Sequence, residues 1–122
     1  MDLTRANLTG ANLVQANMSE AVLARADLND AHLGGADLND AHLGRADLNE
    51  ANLTGADLVG ASMRRAFLAR TDLRETYLSA ADLSGADLSE TSGLTQSQIE
   101  SARGDKNTKL PPGLKPPPDW LK

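Results

Sequence analysis

The feature that most constrains the fold is a period of five residues that runs without a break from residue 1 to residue 90. Written in fives, the stretch from residue 26 reads ADLND AHLGG ADLND AHLGR ADLNE, and eighteen blocks follow one another. The third residue of every block is Leu or Met, and the second is usually Asp or Asn. After Met1 the first residue is Ala, except at Thr71 and Thr76. We therefore treat the block as the structural unit.

A period of five fits neither regular element. On an α-helix, five residues advance about 500°, so successive leucines wind around the cylinder without forming a stripe. On a straight strand, every second leucine faces water. Each block must therefore be a short extended side followed by a corner. Residue types that tolerate turn dihedrals end the blocks: Gly10, Gly35, Gly55, Gly60 and Gly85, with Asn29, Asn39 and Asn49 one place earlier.

The tandem pattern A(D/N)LXX over residues 1–90 resembles the pentapeptide repeat family. The resemblance implies an all-β solenoid, a right-handed quadrilateral β-helix with four blocks to a coil. Residues twenty apart then stack, and the blocks make about 4.5 coils that rise ~4.8 Å each, a rod of roughly 22 Å. The LPPGL stretch and the Trp near the C-terminus are similar to the endings of other bacterial members of the family.

The sequence divides the chain into three segments: a pentapeptide repeat β-helix over 1–90, a C-terminal capping helix within 91–104, and an extended proline-rich tail over 105–122. Thr95 and Gln98 form a capping-box pattern, and Gly104 is placed to stop the helix. Such a cap is needed because the end of a solenoid exposes unpaired backbone and leucines.

Two interpretations of the proline-rich tail stay open. It packs on its own domain, with Leu114, Trp120 and Leu121 as anchors, or it binds another protein. At the other end of the rod, Met1 already belongs to a block, and no capping element precedes it. A homodimer through one end of the rod is therefore one alternative for covering that end.

Composition and charge exclude several kinds of site and several classes of function. The chain has no cysteine, so disulfides and thiolate metal sites are excluded. No stretch approaches the ~18 apolar residues of a membrane span, so we expect a cytoplasmic protein with no membrane contact. Residues 1–90 hold 14 acidic residues against 7 arginines, a net charge of −7. A body of this charge repels phosphates, which argues against direct binding of nucleic acid.

Four arginines twenty residues apart form one column of cations: Arg5, Arg25, Arg45 and Arg65. Stacked like charges repel, so they need counter-charges. Asp27 and Asp47 follow two of them by two residues, which predicts a ladder of exposed ion pairs. The alternative is that the column meets the acidic surface of a partner.

The side next to this column is the most acidic and supplies the candidate protein-binding residues. Phe67 takes a place that is normally Asp or Asn, and an exposed aromatic ringed by polar groups is a candidate contact. The alternative is that the tail covers it. The full candidate set is Asp27, Asp30, Asp47, Glu50, Phe67, Asp87 and Glu90.

Catalysis finds little support in the sequence. His32 and His42 are ten residues apart, two sides of the square, so they face opposite directions and cannot share a metal. Ser62 and Asp82 stack with His42, but Ser62 lies between the other two, so the order of a triad is wrong. No phosphate loop or calcium loop is present. We predict a protein that is not an enzyme and has no metal and no cofactor.

Two functions follow. The first is an interaction or scaffold module that presents a rigid surface to an unknown protein partner. The second rests on the resemblance, because the best-understood relatives imitate DNA and occupy the DNA site of type II topoisomerases such as gyrase. The acidic side would then stand in for phosphates, although the fourth coil carries cations that weaken the imitation: Arg64, Arg65, Arg70 and Arg74.

Overall fold

The computed structural model describes residues 1–122, and its main feature is a stack of four-sided coils. Each side contributes one residue to a parallel β-bridge with the residue twenty positions later. No side forms a longer strand, and the regular segments are a short helix, α1 (Gln96–Ser101), and a 3-10 helix, Pro118–Leu121. The bridges define four columns along the rod. The second column contains Asn7, Asp27, Asp47, Phe67, Asp87 and Lys109.

The corner between two sides is a tight turn with a left-handed residue. The N–H of Ala26 donates to the carbonyl of Leu23 at 3.0 Å. Between them, Arg25 has φ 58°. A positive φ at this place is the requirement of a type II turn. The fifth residue has a positive φ in every block from 1–5 to 81–85, whether it is glycine or not.

The second residue of a block stabilises the same corner with its side chain. Oδ1 of Asp27 accepts the N–H of Asn29 at 3.0 Å, and Oδ1 of Asp47 accepts that of Asn49 at 2.9 Å. These are Asx turns, in which a short carboxylate or amide replaces a backbone acceptor. The preference for Asp and Asn at this position therefore has a structural cause.

The coils are joined by backbone hydrogen bonds on both edges. The N–H of Leu23 donates to the carbonyl of His42 at 2.7 Å, and the N–H of His42 donates to Ala21 at 2.9 Å. Leucines and alanines fill the interior, and from the second coil onward most are fully buried. Thr71 and Thr76 are also buried, and their hydroxyls donate to carbonyls at 2.8 and 2.9 Å. No buried side-chain polar atom lacks a partner.

Bridge pairing continues past residue 90, where the sequence predicts the β-helix to end. Ser92 pairs with the third column, Arg103 with the first and Lys109 with the second. Helix α1 takes the place of one side, between Ser92 and Arg103. The stack is therefore longer than the 4.5 coils counted from the repeats alone.

Helix α1 closes this end through the capping box that the sequence predicts. Oγ1 of Thr95 accepts the N–H of Gln98 at 3.2 Å, and the Gln98 amide oxygen accepts the N–H of Thr95 at 2.7 Å. The Gln98 amide nitrogen also donates to the carbonyls of Leu73 and Thr76, both at 3.1 Å. Ile99 is fully buried over the core. Neither helix of the chain has the length and apolar character needed to cross a bilayer.

The proline-rich tail packs on its own domain. Trp120 is 3% exposed, and Leu114 packs against the core cluster. The Gln96 amide exchanges two hydrogen bonds with the backbone of Lys115, at 2.9 and 3.0 Å. Leu121 is 59% exposed, so the expectation that it is an anchor is wrong. It lies at the end of the 3-10 helix, where Trp120 alone turns inward.

Gly104 has a different role from the helix stop that the sequence predicts. Helix α1 ends at Ser101, and its C-cap, Ala102, is already extended. A Cβ atom at Gly104 would lie 2.6 Å from Cδ2 of Trp120. Glycine is therefore needed here because the indole ring lies directly against the backbone.

We predict that a phenylalanine is tolerated or rejected according to its position within the block. Ala26→Phe places a ring in the closed interior and should lower the free energy of unfolding by about 3 kcal/mol or more. Asp27→Phe, one residue later, points outward as Phe67 does and should cost about 1 kcal/mol, the value of the lost Asx hydrogen bond. Urea unfolding followed by circular dichroism measures both. Equal losses would contradict the assignment of the two faces.

We also predict that Gly104→Ala detaches the tail. Displacing the indole should shift the emission of Trp120, the one tryptophan of the chain, to longer wavelength and make the tail sensitive to protease. Gly44→Ala is the matched control, because its Cβ would meet its nearest neighbour at 3.8 Å, ordinary contact. Unchanged emission in Gly104→Ala would show that the ring does not lie against this glycine.

Candidate interaction surface

The seven candidate residues lie on one surface, which we call the acidic face. Four of them, Asp27, Asp47, Phe67 and Asp87, are consecutive members of the second column. The other three, Asp30, Glu50 and Glu90, lie at the corner that follows, stacked by backbone hydrogen bonds together with Arg70. The structure thus brings together the residues that the sequence selects.

The aspartates of the acidic face are partly engaged by their own turns. Asp27 and Asp47 are half-buried, and each gives one oxygen to a backbone N–H. Asp87 accepts both the hydroxyl of Ser89, at 2.6 Å, and its N–H, at 3.0 Å. These two bonds, the hydroxyl first, hold the pKa of Asp87 below its usual value. Only part of each carboxylate is therefore free for a partner.

One cation interrupts the acidic face. Nη2 of Arg70 lies 2.6 Å from Oε1 of Glu50. This hydrogen bond and the positive charge lower the pKa of Glu50. Desolvation raises the pKa of the neighbouring Asp30, and the negative charge of Glu50 raises it further. The face is therefore locally neutral around Glu50 and negative elsewhere.

Phe67 is an exposed aromatic within the second column, with 55% of its surface accessible. It cannot accept the N–H of Ala69 as an aspartate would. Oδ1 of Asn49, in the coil below, accepts that N–H instead, at 2.8 Å. The corner is therefore satisfied without an Asx residue at position 67. The alternative that the tail covers Phe67 is wrong, since the tail packs over the capping helix and leaves the ring exposed.

The arginine column, here called the arginine ladder, consists of Arg5, Arg25, Arg45 and Arg65. The predicted pairs Arg25–Asp27 and Arg45–Asp47 are wrong, because none of these arginines takes part in an ion pair. The four ion pairs of the chain are Arg64–Asp82, Arg70–Glu50, Arg74–Asp72 and Lys122–Asp119. The two aspartates direct an oxygen to their own turns instead. The ladder therefore has exposed guanidinium groups that take part in no ion pair.

A groove of about 960 Å³ runs along the ladder and reaches Phe67. Arg64, Ser84 and Gly85 line its upper part, and Asp105 and Asn107 lie at its end. Burial alone would raise the pKa of Asp105, but hydrogen bonds from Gly85, Asn107 and Thr108 outweigh it and keep the pKa low. The acidic group at the end of the groove is thus bound to the protein's own backbone.

Sequence reasoning missed a second exposed aromatic, Tyr77. It is 62% exposed and belongs to the fourth column, on a different side from Phe67. A shallow surface next to it is lined by Arg74, Thr95 and Gln98. The signal was present, because Tyr77 also replaces Asp or Asn at the second position of a block.

The residues considered for a metal site or a catalytic triad do not form one. His32 belongs to the third column and His42 to the first, on opposite sides of the rod. Ser62 lies between His42 and Asp82, as expected. The Asp82 carboxylate accepts the Ser84 hydroxyl at 2.6 Å and Arg64 at 3.0 Å. No three metal-ligating side chains cluster anywhere in the chain.

Family comparison identifies the class of the protein. The model of the pentapeptide repeats matches eight copies, over residues 2–40, 26–65 and 58–92. Since these ranges cover well over half of the chain, it belongs to the pentapeptide repeat family, which confirms the resemblance drawn from the sequence. A search of curated proteins finds no match.

Solved structures of pentapeptide repeat proteins are similar to the chain. Rfr23 from the cyanobacterium Cyanothece 51142 is 29% identical with a TM-score of 0.70, over 78% of this chain and 64% of Rfr23. The chain thus spans less than two thirds of that protein. A protein from Nostoc Pcc 7120 is 30% identical with a TM-score of 0.66, over 89% of this chain and 84% of its own. A protein of the Arabidopsis thaliana thylakoid lumen is 28% identical with a TM-score of 0.66, over 81% and 72%.

Hydrogen bonds and ion pairs to carboxylates make the stability of the fold depend on acid pH. The hydrogen bond from Arg74, together with its charge, lowers the pKa of Asp72 from 3.8 to about 2. The pKa values of Asp2, Asp82, Asp87 and Asp105 are lowered as well. A depressed folded-state pKa stabilises the fold above the unfolded pKa, and this stabilisation is lost as protons bind.

We therefore predict that the free energy of unfolding is level above about pH 5 and falls as the pH drops from about 4 to about 2. Asp72→Asn should flatten part of this fall, and urea unfolding at a series of pH values measures it. Asp37→Asn is the control, because Asp37 makes its Asx turn but has no cation partner. An identical pH profile for wild type and Asp72→Asn would contradict the contribution of the pair.

Proposed function

We propose that the chain is a non-enzymatic interaction or scaffold module that presents a rigid polar surface to a protein partner. The observation that carries the proposal is Phe67. The ring is exposed in a column where the repeat calls for Asp or Asn, and Asn49 satisfies the backbone that the ring leaves without an acceptor. An apolar residue kept on the surface in this way favours contact with another molecule.

Rigidity supports a binding role. Every coil between the ends is hydrogen-bonded above and below, and its leucines are packed without exposure. A partner therefore meets a surface that is already ordered, and binding loses little entropy in the backbone. We propose the right-handed coil of the family and a cytoplasmic location for this chain.

The composition around Phe67 resembles that of protein interfaces. An aromatic residue lies at the centre, with charged groups around it: the arginine ladder at the corner before it, Asp47 and Asp87 below and above it, and Glu50, Arg70 and Glu90 at the corner after it. Interfaces commonly have this arrangement, an apolar anchor surrounded by a polar rim. We propose the acidic face, with Phe67 as its anchor, as the contact surface.

Modulation of a type II topoisomerase by imitation of DNA is the second candidate. Five carboxylates of the acidic face, those of Asp27, Asp30, Asp47, Asp87 and Glu90, have no ion pair and favour this candidate. Arg70 and the ladder beside them oppose it, because a DNA-like surface is uniformly negative. We therefore rank it below the interaction module.

The proposal predicts that removing the ring of Phe67 weakens the binding of the protein partner. We expect affinity capture from the source cells to retain a protein on the wild type and at least tenfold less of it on Phe67→Asn, since an aromatic anchor contributes about 2 kcal/mol or more. Asn restores the repeat pattern, so the fold should be kept. Tyr77→Asn removes an exposed ring elsewhere and should retain the partner. The same captured proteins on wild type and Phe67→Asn would overturn the proposal.

A gyrase supercoiling assay separates the two candidates. The interaction module predicts no effect of the protein at tens of micromolar. Inhibition that is lost on replacing Asp27 and Asp47 by Asn and Glu50 by Gln would establish DNA imitation instead. Asn is chosen because it keeps the Asx turns, as it does at Asn52.

A further inference from the structure

The arginine ladder has no structural explanation within the chain. Its residues have φ between 57° and 60°. Glycine adopts this conformation readily and a long side chain does not. Glycine occupies the same position at Gly85, on the next rung, and at other corners. Neither the backbone nor an ion pair therefore calls for arginine at these four positions.

Four exposed guanidinium groups in register also oppose one another. Backbone hydrogen bonds of 2.9 and 3.0 Å fix the rungs at the spacing of β-pairing. Like charges stacked in this way repel, and none of the four arginines takes part in an ion pair within the chain. An external anion would relieve it, because arginine binds carboxylates through two parallel hydrogen bonds.

We infer that the arginine ladder is the docking site of an α-helix of a protein partner that carries a row of glutamates, laid parallel to the rod. This inference rests on the proposed interaction function and names the chemistry of the partner. The four rungs span three intervals of ~4.8 Å, about 14.5 Å in all. Glutamates one turn apart on a helix, at 5.4 Å, span about 16 Å over the same number of groups. The flexible arginine side chains absorb the small difference.

An extended acidic peptide fits less well. Side chains on one face of a strand repeat at about 6.7 Å, so four of them span about 20 Å. The mismatch with the ladder then exceeds 5 Å, more than one rung. An acidic strand therefore meets only part of the ladder at one time.

The neighbouring acidic face selects against a nucleic acid. Asp27 and Asp47 follow the arginines by two residues in sequence, and both lack a cation partner. A nucleic acid that covers both columns presents phosphates to the aspartates as well as to the arginines and would be repelled by the aspartates. A helix about 10 Å wide covers both columns, with glutamates toward the ladder and lysines toward the aspartates. Phe67, which follows Asp27 and Asp47 in the same column and lies at the edge of the groove, meets an apolar residue at the end of the lysine stripe.

The test uses the full chain and a synthetic helix. The probe is a stapled peptide of about 18 residues that carries four glutamates one turn apart and a lysine stripe beside them. A peptide of the same composition, with glutamates distributed around the helix, is its control. A single-stranded oligothymidylate represents nucleic acid. Fluorescence anisotropy measures the binding of each at low and at physiological salt.

We expect the striped peptide to bind at least fivefold more tightly than the scrambled one. Arg25→Gln with Arg45→Gln should weaken its binding about tenfold, a loss of about 1.4 kcal/mol. Arg74→Gln with Lys115→Gln removes the same charge away from the ladder and should change the affinity less than twofold. Melting temperatures of both double variants verify that they fold.

Three results would overturn the inference: no binding of the striped peptide at about 1 mM, equal binding of both peptides, or unchanged affinity of the ladder variant. Tighter binding of the oligothymidylate, lost in the same variant, would assign the ladder to nucleic acid. A protein captured through Phe67 but insensitive to Arg25→Gln with Arg45→Gln would leave the interaction function standing and refute the ladder alone. Failure of the Phe67 capture experiment would refute the interaction function itself.

Discussion

The structure depends on the left-handed residue at each corner. Its positive φ allows the next alanine N–H to reach the leucine carbonyl behind it, as from Ala26 to Leu23. The chain then turns in two residues, and the next leucine points inward again. Inter-coil hydrogen bonding, the closed apolar interior and the outward columns all follow from this turn. Most corners carry a non-glycine residue, so cooperative stacking outweighs the local cost of the backbone.

The corner also gives each of the five positions of a block its own structural role. The alanine and the leucine build the interior, and Asp or Asn at the second position completes the turn, as Asp47 does for Asn49. The Asx turn at the second position offers a structural reason for the many acidic residues of the chain. A carboxylate such as Asp27 contributes charge to the surface, yet its position in the sequence is explained by a hydrogen bond to its own backbone. The departures from the pattern, Phe67 and Tyr77, are therefore more informative about function than its regular members.

The strict period predicts a corner in every block and the inward facing of Leu23, because only then is every leucine buried. The four sides of the coil, and with them the stacking of Asp27 under Asp47, come from the resemblance to the pentapeptide repeat family. The sequence also predicts the capping box of Thr95 and Gln98. It does not predict that Arg25 and Asp27 stay apart, since spacing alone does not reveal that the turn N–H competes for the carboxylate. The role of Gly104 was equally hidden, because its neighbour Trp120 is distant in sequence and nothing periodic links them.

Helix α1 has a wider consequence. It replaces one side of a coil, and the chain beyond it still rejoins the columns at Arg103 and Lys109, one and two residues later than a strict count of twenty requires. Bridge pairing therefore requires the right number of sides between two partners, and not a fixed number of residues. A segment of unrelated shape can replace a side, provided that its two ends return to neighbouring positions on the square. Such a rod can carry different segments in place of its sides while the spacing of every column stays fixed by the backbone.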